Sequence, residues 1–88
     1  MKAIYDNRLF NVADVAGDLT LEARDGTRLV VDFGDDRLIV DPTDEQVADT
    51  SNLAEWYAVD VEDAERLRLM LRGDISLQEW QQWKEHRS

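Results

Sequence analysis

The chain has 88 residues, 43% of them apolar, which gives room for one small domain with a core and no more. Twenty Asp and Glu face ten Lys and Arg, for a net charge of −10, and there is no cysteine, which excludes a disulfide staple. Such an acidic surface repels nucleic acid and bare anionic membrane, attracts basic partners and favours solubility.

The charge is unevenly placed. Residues 1–65 hold 17 Asp/Glu and 5 Lys/Arg, a net of −12, whereas residues 66–88 hold 3 and 5, a net of +2. The N-terminal MKAIYDNRLF has no apolar signal core, and no run approaches membrane-spanning length. With cysteine absent, these features lead us to expect a soluble, cytoplasmic protein, small enough for self-association to add stability.

In chain order, Lys2 to Tyr5 reads as a short strand, Asp6-Asn7 as a turn, and Arg8 to Val15 as a second strand. Strict alternation puts Phe10 and Val12 on one face of that strand and Leu9, Ala13 and Val15 on the other. Gly17-Asp18 marks the next turn. Leu19 to Phe33 is the best-specified stretch, because Asp25-Gly26 between apolar-rich runs signals a hairpin. A two-residue turn would pair Leu21 with Val30 and leave both faces mixed. A three-residue loop, Arg24-Asp25-Gly26, pairs Leu21 with Leu29 and Glu22 with Arg28. It gathers Leu19, Leu21, Ala23, Leu29, Val31 and Phe33 on one face, and that coherence selects it. Gly34-Asp35-Asp36 is a tight connection, and Arg37 to Asp41 is a fifth strand.

Pro42 ends the run, since it cannot donate to a ladder and biases Asp41 to an extended conformation. Thr43 is placed to cap a short helical turn, TDEQVAD. The aromatic content of Leu53 to Val59 predicts a further strand, although Leu-Ala-Glu-Trp tolerates a helix. Asp60 caps a helix whose stripe is Val61, Ala64, Leu67 and Leu71, with Met70 at its edge and Gly73 as its stop. Ser76 and Glu79 form a capping box for a last helix, with Ile75 placed to staple onto Trp80 and an apolar face of Leu77, Trp80 and Trp83.

The expected fold is α+β in a single small domain, residues 1–88. Residues 1–59 are mainly β, an antiparallel meander of about five to six short strands in a curled sheet or small open barrel. Two C-terminal helices follow over residues 60–88.

Motifs for chemistry do not rise above chance. Asp32-Phe33-Gly34 repeats a kinase tripeptide in a chain far too short for a kinase, and Arg72-Gly73-Asp74 repeats an integrin-binding tripeptide whose glycine already ends a helix. Asp35, Asp36, Asp41, Asp44 and Glu45 are oxygen donors suited to hard cations, but their spacing matches no calcium loop. His86 is the only histidine and has no second ligand, while Ser76 is a cap rather than a nucleophile. The two last helices superficially resemble a helix-turn-helix, with Arg66, Arg68, Arg72, Lys84 and Arg87 as its basic residues. Its second helix, however, opens on Leu77, Gln78, Glu79 and Trp80, a poor base reader.

Leu69 lies opposite the apolar stripe of its helix, and tryptophan is enriched at interface hot spots. The sequence therefore points to a small acidic, non-enzymatic interaction module for a basic protein partner, of the antitoxin, immunity-protein, inhibitor or nucleic-acid-mimic type. The alternative is a structural or self-assembling homodimer subunit, with a DNA-binding helix-turn-helix and a small enzyme behind it. Candidate contact residues are Asp35, Asp36, Asp41, Asp44, Glu45 and Asp49 from the acidic stretch, with Trp56, Leu69 and Trp83. No cofactor, metal or catalytic residue is assigned, and neither nucleic acid nor membrane is an expected partner.

Overall fold

A computed structural model describes residues 1–87, with only the backbone of Arg87. Five strands, β1 (Lys2–Tyr5), β2 (Arg8–Ala16), β3 (Asp18–Glu22), β4 (Arg28–Val31) and β5 (Leu38–Val40), precede four helices, α1 (Asp44–Ala48), α2 (Leu53–Tyr57), α3 (Val61–Arg72) and α4 (Leu77–Arg87). The sheet is antiparallel throughout, in the order β4-β3-β2-β1-β5.

Turn chemistry sets the registers. Asp6 and Asn7 both adopt positive φ, the conformation a two-residue hairpin needs, and Tyr5 pairs with Arg8 across them. In the next hairpin Leu21 faces Leu29 and Glu22 faces Arg28. The Ala23 N–H donates to Thr27 C=O at 2.8 Å, and Gly26 takes φ +92°. This is the expected three-residue loop.

In β2 the register shifts between Val12 and Asp14, so Ala13 is the extra residue of a bulge. The bulge resets the alternation and carries Val15 to the face of Phe10 and Val12, contrary to the sequence expectation.

β5 returns beside β1, so β4 and β5 are the two edges of an open sheet rather than a closed barrel. Their connection is short and doubly turned. Asp35 N–H bonds to Asp32 C=O at 3.0 Å and Leu38 N–H to Asp35 C=O at 3.1 Å. Each turn advances the chain by less than about 7 Å. Crossing four strand spacings in a flat sheet takes about 19 Å. The sheet therefore curls, and Val31 and Leu38 meet in one apolar cluster with Ala3, Leu19 and Leu21.

The helical half departs from expectation in number. Among the described residues there are four helices rather than two, and Leu53–Tyr57 is helix rather than strand. Its aromatic residues serve a helical face: Leu53 and Trp56 are buried in a second cluster with Ile4, Leu9, Val47 and Leu67. Ala58 stops α2 in the left-handed conformation, φ 54°, with Val59 N–H bonded to Ala54 C=O at 3.0 Å. Thr43 does cap α1, in a reciprocal box with Gln46. Asp60 caps α3, Gly73 ends it at φ 84°, and Ser76 accepts from Glu79 N–H at 3.0 Å.

Two apolar residues leave their predicted stripes. Val61 is 71% exposed, so the buried face of α3 begins at Ala64, and Leu77 is 55% exposed, so Trp80 begins that of α4.

The sheet cluster and the helix cluster meet through β1, where Ala3 faces one and Ile4 the other. The arrangement is elongated, 46 × 24 × 17 Å, with a radius of gyration of 14.4 Å. A compact chain of this length would have about 12 Å.

One side chain joins the halves. Leu9 lies beyond the end of β3, so its backbone has no strand neighbour on that side. Asn52 takes the place of one: its Oδ1 accepts from Leu9 N–H at 2.7 Å, and its Nδ2 donates to Leu9 C=O at 3.0 Å. Both residues are buried.

Candidate interaction surface

The acidic candidates separate into committed and uncommitted carboxylates. Asp35 is committed. It accepts from Arg37 Nε at 3.1 Å and Nη2 at 2.9 Å, from the Arg37 N–H at 3.0 Å, and from Tyr5 Oη at 2.9 Å. The Arg37 guanidinium also lies 4.9 Å from the Tyr5 ring centroid. Arg37's side-chain bonds, then its backbone N–H and the Tyr5 hydroxyl, hold the Asp35 carboxyl well below the usual carboxylate range. Tyr5 is pushed upward in turn, first by its bond to Asp35 and then by burial. This cluster clamps the β4–β5 connection onto β1.

Asp49 is committed too, as the C-cap of α1 and the acceptor of a bond from Arg72 Nη2.

Asp36, Asp41, Asp44 and Glu45 are exposed, and among the described residues they make no ion pair. They bracket β5 and open α1 along one continuous stretch. Asp44 and Glu45 also favour the positive end of α1, a local structural reason for two of the four.

The apolar candidates separate as well. Trp56 is 7% exposed and packed in the helix cluster, so a partner reaches it only if that cluster opens. Leu69 and Trp83 come together. With Val61, Glu62, Glu65 and Arg66 they line an open groove of about 460 Å³ between α3 and α4, and the Arg66 guanidinium lies 5.2 Å from the Trp83 ring centroid. The Leu69 anomaly in the helical pattern thus reflects cover on a second side by α4.

Part of the basic C-terminal segment is engaged within the fold, with carboxylate partners for Arg68 and Arg72. Arg68 donates to Ala48 C=O at 2.6 Å and to Glu65 at 2.9 Å, Arg72 is held by Asp49, and Lys84 lies 5.0 Å from the Trp80 ring centroid. The side chain of Arg87 lies outside the described residues. No described helix is long and apolar enough to cross a membrane.

One exposed apolar feature escaped the sequence reading. Val30, on the outer face of the hairpin, is 64% exposed, and Phe33, expected on the inward apolar face, instead lies in the turn beyond β4 and is 48% exposed. The chosen register already turned Val30 outward, so the signal was present; what it lacked was the knowledge that β4 is an edge.

No family model, curated protein or solved structure matches this chain.

Proposed function

We propose that this chain is a small acidic interaction module that binds a protein with a basic surface, as antitoxins, immunity proteins, inhibitors and nucleic-acid mimics do. The observation that carries the reading is the run of exposed carboxylates that make no ion pair among the described residues, Asp36, Asp41, Asp44 and Glu45, in a chain of net charge −10. Uncompensated surface charge of one sign steers an oppositely charged partner and sets its register. The net charge of −10, which repels phosphate, supports a protein rather than a nucleic acid as the partner.

The test is capture from an extract of the source organism, with wild type beside a variant carrying Asp36→Asn, Asp41→Asn, Asp44→Asn and Glu45→Gln. Asn accepts the left-handed backbone of Asp41, φ 52°, so the fold is retained. Wild type retains a basic protein that salt releases, and the variant loses it. Capture of acidic proteins only, of nothing, or of the same basic protein by both chains overturns the reading.

A further inference from the structure

The two edges of the sheet are unequally protected. β5 has three residues and runs into the left-handed Asp41 and then Pro42, which blunt it as a template for another strand. β4 has neither a bulge nor a proline, and β3 is its one hydrogen-bonded neighbour. Its exposed side chains include Leu29, 39% exposed, besides Val30, and Phe33 is exposed in the turn that follows.

The hairpin geometry shows which backbone groups that edge offers. Ala23 and Thr27 form the bonded pair closing the loop, so by alternation Leu21–Leu29 and Leu19–Val31 are bonded pairs as well. Arg28 and Val30 then turn their N–H and C=O away from β3, towards the open edge.

We propose that β4 pairs antiparallel with β4 of a second copy of this chain, about a twofold axis at Val30, to form a symmetric dimer. Val30 then faces the partner's Val30, and their backbones exchange two hydrogen bonds. Two places away on the same face, Arg28 lies opposite the partner's Asp32 and Asp32 opposite the partner's Arg28. On the other face Leu29 lies opposite the partner's Val31.

Charge complementarity is what selects a second copy as the occupant. A twofold interface must be self-complementary, and opposite charges two residues either side of its centre satisfy that. Parallel pairing in register would set Arg28 against Arg28 and Asp32 against Asp32. Both charges are available: Asp32 uses Oδ1 for Gly34 N–H at 2.8 Å and leaves Oδ2, while Arg28 makes only a 3.7 Å surface contact with Glu22 through Nε. The edge is short, so the interface falls below about 1,200 Å², in the class of weak, transient complexes. This inference stands apart from the basic partner proposed above, which engages the stretch from Asp36 to Glu45.

Sedimentation equilibrium of the full chain from low micromolar to millimolar concentration tests it. Wild type shows a monomer–dimer equilibrium. Val30→Lys, at a position exposed in the monomer, sets two ammonium groups face to face and weakens the dimer by at least about tenfold. Arg28→Asp and Asp32→Arg each weaken self-association, yet the two variants mixed together form a one-to-one heterodimer, because each supplies the charge the other needs. Circular dichroism checks that each variant is folded, and the mixing experiment decides where Val30→Lys fails to fold. A wild type that stays monomeric at millimolar concentration overturns the proposal. So does a dimer indifferent to Val30→Lys, or one in which mixing the charge variants restores nothing.

Discussion

Asn52 shows how much a single buried amide can decide. Its two polar atoms complete the backbone bonding of Leu9, 43 residues earlier, in a place where neither group reaches water. Asn52→Ala leaves a buried donor and a buried acceptor unpaired, at about 1–3 kcal/mol each. We expect a loss of roughly 2–6 kcal/mol in urea unfolding, with faster amide exchange at Leu9. Asn52→Asp is no rescue, because it keeps the acceptor but sets a carboxylate against Leu9 C=O. An Asn52→Ala chain of wild-type stability would show that water replaces the amide at no cost.

Asp35 gives the pH dependence. Its carboxyl is depressed in the folded state, so its contribution to stability is full above the ordinary carboxylate pKa of about 3.9 and is lost as pH falls through and below that value. Tyr5 has the opposite sense: its raised pKa contributes stability below about pH 10, lost as the phenol ionises. Tyr5→Phe removes one donor to Asp35. The Asp35 carboxyl carbon, followed by NMR, should titrate at higher pH in that variant, and acid unfolding should begin earlier. An unchanged titration would mean that Arg37 alone holds the carboxylate.

At the scale of elements, local chemistry explains the best predictions and a local conflict explains a miss. The Arg24-Asp25-Gly26 loop was legible because register and apolar face agree, and the caps at Thr43, Asp60 and Ser76 were legible because their partners lie three residues away. α2 was not legible, because its aromatic residues suit a strand and its stop is an alanine. Ala58 sits at φ 54°, where a side chain costs about 1 kcal/mol relative to glycine, and it is exposed, so removing its methyl group loses no packing. Ala58→Gly should stabilise the protein by about 0.5–1 kcal/mol, a rise in melting temperature of a few degrees in a domain of this size. A fall in melting temperature would show that unfolded-state entropy outweighs the relief of strain.

At the scale of the molecule, the two proposals respond differently to salt. A basic partner held by Asp36, Asp41, Asp44 and Glu45 loses affinity steeply as ionic strength rises, since exposed charges beyond about 10 Å are screened at 0.1 M salt. The β4 dimer changes less: its charge pairs weaken, but backbone bonds and the Val30 contact persist, and screening eases the repulsion between two chains of net −10.

The sequence by itself determined what nearest neighbours along the chain can settle: the hairpin register, the helix caps, the break at Pro42 and the excess of acid. Only the tertiary structure decided which strands became edges, which carboxylates were consumed, that Trp56 belongs to the core, and that Leu69 and Trp83 share a groove. The physical reason is separation along the chain. β5 pairs with β1 across more than thirty residues, and Asn52 meets Leu9 across 43. Nothing local encodes such a pairing; it follows from closing one sheet around one apolar cluster and burying the helices against what remains.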